Sequence, residues 1–143
     1  MVNISVLKRA SESVVRDLNS LIAQLRQKSE TAGTLTELEK IVASEDIAVI
    51  TAEDGGRIIG VAFLFFAQKM GKRIAFVEDV VVDEAHRGQG IGENIMAEVV
   101  SLARRNKTTY VTFTSRPERE AANKFYQKIG FELRETNVYR MNL

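Results

Sequence analysis

Residues 87–92 read Arg87-Gly88-Gln89-Gly90-Ile91-Gly92, set between an apolar run, Ile74 to Val82, and a helix-like run, Ile91 to Arg104. Three glycines in five residues let the backbone fold tightly and bring amide N–H groups close to a ligand. A helix beginning there adds unpaired donors and a partial positive charge, the makings of a pyrophosphate cradle. Arg87 places a full positive charge beside it. Beyond the helix, Thr108 to Thr114 is β-branched and aromatic, hence a strand. Strand, glycine turn, helix and strand in that order require a right-handed crossover and a parallel strand pair.

The segments upstream read as an antiparallel meander. Ile4 to Leu7 is a short strand. Val14, Val15, Leu18, Leu21, Ile22 and Leu25 recur at helical spacing, predicting a helix over 11–26 and a polar loop over 27–34. Thr34-Leu35-Thr36-Glu37 has capping-box spacing ahead of Leu38, Ile41 and Val42, a second helix. Ile47 to Ala52 is strand-like, and Asp54-Gly55 is a hairpin signal. Arg57 to Ala67 is nearly all apolar, as in a strand buried on both faces. A turn at Met70-Gly71-Lys72 leads into the strand ending at Asp83. Downstream, Ser115-Arg116-Pro117-Glu118 predicts a helix start with Pro117 in the first turn, and Gly130 its end. Phe131 to Leu133 and Val138 to Met141 suggest a closing hairpin. The fold class is mixed α/β (α+β): a single domain over 1–143 with a six- to seven-stranded mixed sheet. That sheet is an antiparallel meander plus one parallel strand pair, flanked by about four helices.

Composition removes several kinds of chemistry. The chain has 143 residues, no cysteine and one histidine, His86. Thiol nucleophiles, disulfides and a multi-histidine metal site are therefore excluded, and no metal is expected. A net charge of +1 gives no bulk attraction to nucleic acid or to an anionic membrane. No apolar run approaches the roughly 18 residues of a membrane span. Met1-Val2-Asn3-Ile4-Ser5 lacks a signal-peptide pattern, so the expected location is cytoplasmic. His86 reads as an exposed polar residue. Arg104, Arg105 and Lys107 oppose the negative end of a helix dipole.

The glycine turn does not fit two common phosphate motifs. A Walker loop needs Gly-Lys-Ser/Thr before its helix, whereas this chain has Gly92-Glu93-Asn94. A dinucleotide fold places its glycines after the first strand, followed by further βαβ units. A structural loop with incidental glycines remains the plain alternative.

Val80-Val81-Val82-Asp83 followed by Arg87-Gly88-Gln89-Gly90-Ile91-Gly92 resembles the acetyl-coenzyme A motif of the GNAT superfamily of N-acetyltransferases. Phe125-Tyr126-Gln127-Lys128-Ile129-Gly130-Phe131 is similar to that family's second signature, an aromatic pair on a helix followed by Gly-Phe. The resemblance covers nearly the whole chain and is strongest over 74–131. It implies that the strand before the turn splays from its parallel neighbour, that pantetheine pairs with the backbone of Val80, Val81 and Val82, and that the diphosphate sits on residues 87–92. Many members carry an asparagine seven residues before the helix tyrosine. Arg119 stands there in this chain, and Asn123, on the same helix face as Tyr126, either takes over the cofactor contact or only caps the surface.

The implied reaction is acetyl transfer from the co-substrate acetyl-CoA to a primary amine by direct attack in a ternary complex. A small-molecule amine is the first choice of acceptor; a protein or peptide amine, or a non-catalytic acyl-CoA sensor, are the alternatives. The Glu78-Asp79 pair is similar to the arrangement in aminosugar-phosphate acetyltransferases. An alkyl amine is mostly protonated at neutral pH, so a base helps. Glu78 shares strand parity with Ile74, Phe76, Val80 and Val82, neighbours that would desolvate a carboxylate and suit it to that role. A β-bulge would swap the faces and hand the role to Asp79. By resemblance, Tyr126 protonates the leaving thiolate and a backbone N–H from Val80 to Val82 stabilises the oxyanion. Family members often pair, which leaves a homodimer open.

Overall fold

The apolar run beginning at Arg57 forms the central strand of the sheet. The computed structural model describes residues 1–25 and 31–143. These fall into two compact units, Met1–Phe113 and Thr114–Leu143. The first contains β1 (Asn3–Val6), α1 (Glu12–Leu25), α2 (Leu35–Ala43), β2 (Ile47–Asp54), β3 (Arg57–Lys69), β4 (Lys72–Val82), a 3-10 turn (Glu84–His86), α3 (Ile91–Arg105) and β5 (Val111–Thr112). The second contains α4 (Glu120–Lys128). The expected last residue of the first helix, Arg26, and loop residues 27–30 lie outside the described residues.

The sheet has five strands in the order β1-β2-β3-β4-β5. β1 to β4 pair antiparallel, and β4 pairs with β5 in parallel. Ile58 to Leu64 of β3 are all buried, because helices cover both faces of this strand. Val15, Leu18 and Leu21 of α1 and Leu38 of α2 pack with Val49, Val61, Phe63 and Val81 on one face. Ile91, Ile95, Met96 and Val99 of α3 are buried by the other. The sheet and α3 approach closely at Gly60, where a Cβ would come within 2.8 Å of Ile95 Cδ1 and 3.3 Å of Ala52 Cβ. That close approach seats the start of α3 against the sheet.

Local signals behave as expected where they are strong. The Thr34–Glu37 capping box is complete, each side chain bonding the other's backbone N–H. Asp54 pairs with Arg57 across Gly55 and Gly56, both at positive φ as a two-residue I′ hairpin turn demands.

Among the described residues the strand count is five rather than six or seven. Residues 131–143 form no strand, and Leu133, Val138, Tyr139 and Met141 are exposed. Two short apolar runs joined by polar residues make only an isolated hairpin, which is marginal in water. The strand expected over 108–114 is confined to Val111–Thr112, with extra bonds from Thr109 N–H to Arg73 C=O and Ala75 N–H to Tyr110 C=O. Pro117 lies outside α4. It occupies a turn closed by Arg119 N–H on Arg116 C=O, where its fixed φ suits the second position.

Candidate functional site: the β4 edge and the glycine turn

β4 leaves its parallel partner early. Among the described residues the β4–β5 ladder pairs Ala75 with Val111 and Phe76 with Thr112, and Val77 to Val82 run on beyond it. A bulge interrupts the other side. Val61 faces Val81 and Phe63 faces Glu78, so Asp79 and Val80 together oppose Ala62. Asp79 adopts φ 53°, a left-handed conformation rare outside glycine. A bulge of this kind bends its strand and increases the twist, in keeping with the divergence from β5.

The bulge also corrects the expected parity of Glu78. Directly opposed residues of an antiparallel pair share a face. Glu78, opposite Phe63, therefore lies on the α1 face with Val81, while Val82, opposite Gly60, lies on the α3 face. Glu78 is exposed rather than set among apolar neighbours, and Asp79 and Val80 are half-buried.

The backbone of Val82 is directed at the open edge. Asp83 N–H bonds Ile59 C=O at 2.8 Å, and successive residues on a strand turn their polar groups to opposite edges. The Val82 carbonyl is accordingly met by Arg87 Nε at 3.0 Å. Arg87 is exposed, and this contact anchors its guanidinium beside the strand's end.

Residues 88–92 form the expected turn. Gly88 and Gly90 lie at φ 77° and 78°, with Gly90 as the N-cap of α3. A Cβ at either would meet no protein atom within 4 Å, so the left-handed backbone, not crowding, calls for glycine. The first bond into the helix is Asn94 N–H to Gly90 C=O at 3.0 Å, and Gly90 has no capping side chain. Among the described residues, the amides of Gly88, Gln89, Gly90, Ile91, Gly92 and Glu93 therefore have no protein acceptor. Gly92 stands against Val82, where a Cβ would lie 3.7 Å from Val82 Cγ2. The strand edge and the row of amides are thus contiguous. The chemistry of this arrangement suits an anion at the turn and an extended amide-bearing chain along the edge.

A polar cluster missed in the sequence leads into this turn. His86 is half-buried rather than exposed, and its Nδ1 lies 2.8 Å from Asp83 Oδ2. The 3-10 turn brings these two residues together. Asp83 Oδ1 accepts from Gln24 Nε2 at 2.8 Å. The Gln24 and His86 hydrogen bonds hold the Asp83 carboxyl below its usual range. Arg73 lies in β4 over the Phe66 ring, 3.3 Å from Asp46.

In the second unit, α4 closes with a Schellman motif. Gly130, at φ 109°, donates to Gln127 C=O, and Phe131 N–H bonds Tyr126 C=O at 3.0 Å. The side chains of Tyr126 and Phe131 make the hydrophobic contact of that motif, edge to face at 6.5 Å. The spacing of the aromatic–Gly–Phe signature is therefore also that of a helix stop. Tyr126 is buried and packs beside Phe125. Asn123 Nδ2 donates to Arg116 C=O at 3.0 Å, tying α4 to the turn before it.

Residues 15–131 match the model of the Acetyltransferase (GNAT) family, and the chain belongs to that family. It is 34% identical over 86 residues to a glucosamine 6-phosphate N-acetyltransferase of Trypanosoma brucei brucei, a match covering 58% of this chain and 56% of that protein. It is 33% identical over 110 residues to a probable glucosamine 6-phosphate N-acetyltransferase of Oryza sativa subsp. japonica, covering 72% and 63%. The matched stretch is thus less than two thirds of these relatives' own length. A crystal structure of a Trypanosoma brucei acetyltransferase superposes with a TM-score of 0.81 at 26% identity over 100% of both chains. Among the described residues, no helix is long and apolar enough to cross a membrane, and no group of three or more His, Cys, Asp or Glu could hold a metal.

Proposed function

We propose that this protein transfers the acetyl group of acetyl-CoA to the primary amine of a small molecule, by direct attack in a ternary complex. An aminosugar phosphate is the first acceptor to test. The observation that carries this reading is the row of amides from Gly88 to Glu93, which have no protein acceptor among the described residues, continuous with the β4 edge at Val82. A diphosphate fits the amides and Arg87, and the amide-bearing pantetheine arm fits the β4 edge at Val82, whose backbone groups face outward, whereas those of Val81 face β3. The kinship with glucosamine 6-phosphate N-acetyltransferases supports the acceptor class.

The chemistry then divides as follows. The ammonium group loses a proton, and the free amine attacks the thioester carbonyl. The nitrogen of the tetrahedral adduct sheds its second proton to solvent as the adduct collapses to the amide. Glu78 or Asp79, at the bulge, takes the ammonium proton directly or through water. A backbone N–H of Val80 to Val82 donates to the developing oxyanion. The carbon–sulfur bond breaks, and the Tyr126 phenol protonates the departing thiolate. Asn123 serves through the turn it holds ahead of α4.

The test is an amine panel, including glucosamine 6-phosphate, assayed for free thiol release from acetyl-CoA. Turnover with one small amine supports the reading. Thermal stabilisation by coenzyme A without turnover on any amine would favour an acyl-CoA sensor instead.

A further inference from the structure

We infer that Gln24 is a positioning residue for the coenzyme turn, fastening the end of α1 to the peptide that enters the turn. The inference rests on the reading of residues 88–93 as the coenzyme site. The Gln24 amide engages two consecutive residues: Nε2 donates to Asp83 Oδ1 at 2.8 Å, and Oε1 accepts from Glu84 N–H at 2.9 Å. The other Asp83 oxygen meets His86 Nδ1 at 2.8 Å. These contacts converge on residues 83–86, the whole of the link between β4 and Arg87. A planar amide bonded at both ends fixes the orientation of that link as well as its distance from α1.

Seven residues earlier on the same helix, Asp17 Oδ2 accepts Ile58 N–H at 3.0 Å, near the start of β3. Ile59 C=O in turn receives Asp83 N–H. α1 is therefore stapled to the beginning of β3 and the end of β4, the rim of the sheet from which the turn departs. Packing of Val15, Leu18 and Leu21 alone would hold the helix without any polar contact at residue 24. The added bonds make the placement of the turn depend on the placement of α1, so a displacement of α1 changes coenzyme affinity.

A pair of substitutions tests this. Gln24→Glu sets a carboxylate against Asp83 while keeping an acceptor for Glu84 N–H. Adding Asp83→Asn restores a donor to residue 24 and keeps an acceptor for His86, so the bonding pattern returns with the charge transposed. Two readouts are taken on variants whose circular dichroism matches the parent: coenzyme A affinity by calorimetry, and the amide resonances of Gly88, Gly90 and Gly92 without ligand. Gln24→Glu should shift those resonances and weaken coenzyme A by about tenfold, and the double variant should recover both to within about threefold. Unchanged resonances and affinity in Gln24→Glu, or no recovery in the double variant, would overturn the inference. If the parent protein itself has no affinity for coenzyme A, the proposed function fails, and the resonances alone decide the positioning claim.

Discussion

Gly90 and Gly71 form a matched pair for asking what the glycine turn is for. Both lie at φ 78°, and a Cβ at either would meet nothing within 4 Å. Gly71 turns the chain from β3 to β4, while Gly90 caps α3. Replacing either by alanine forces a Cβ into the left-handed region, at a cost of roughly 1–2 kcal/mol without a clash. For a chain of this size that lowers Tm by about 3–8 °C, and by a similar amount in the two variants. The functional effect should differ. Relaxing the strain at residue 90 rotates the peptide groups on either side and misaims their amides. Loss of one hydrogen bond to a charged oxygen is worth about 1.5–3 kcal/mol, or roughly 10–150-fold in affinity. Calorimetric titration with coenzyme A should therefore show a loss of that order for Gly90→Ala and parental affinity for Gly71→Ala. Equal affinities in the two variants would refute the argument that the left-handed glycine exists to aim donors at the coenzyme.

Other expected outcomes follow from the same structure. Tyr126→Phe should lower kcat at least tenfold with coenzyme A affinity little changed, as measured by thiol release and calorimetry; unaltered turnover would remove Tyr126 as the acid. Asp83 has a folded pKa below its unfolded value, so its stabilising contribution is present above about pH 4 and lost as the pH falls through the folded pKa. Asp83→Asn should accordingly destabilise the protein at neutral pH, with the gap in chemical denaturation closing under acid conditions. Gly60→Ala should destabilise by about 1–3 kcal/mol through the contact with Ile95 Cδ1, and Ile95→Val should recover part of that loss in a double-mutant cycle.

The features legible in the sequence are those with a local cause. The capping box at Thr34, the Asp54-Gly55 hairpin, the doubly covered β3 and the helix opened by the glycine turn each rest on neighbouring residues. The two-sided burial of Ile58 to Leu64 shows as an unbroken apolar run because both faces meet helices. The bulge at Asp79 is not readable in the sequence, since no glycine or proline marks it and Val80-Val81-Val82 looks like continuous strand. It sets which face Glu78 takes, so site geometry was less legible than site location. The Gln24–Asp83–His86 cluster joins residues some 60 positions apart, beyond the reach of any spacing argument. The one clue was a polar Gln24 next to Leu25 at the end of an otherwise amphipathic helix. The missing hairpin over 131–143 shows the limit of apolar runs, which give strand propensity but no partner.

The central claim is that the amides from Gly88 to Glu93 hold the diphosphate of a coenzyme. An amide-resolved NMR titration compares coenzyme A with pantetheine, which lacks the diphosphate. The account predicts large, saturable shifts of residues 88–93 with coenzyme A and far smaller ones there with pantetheine. Equal responses to the two compounds, or a coenzyme A response elsewhere while the turn stays silent, would contradict it.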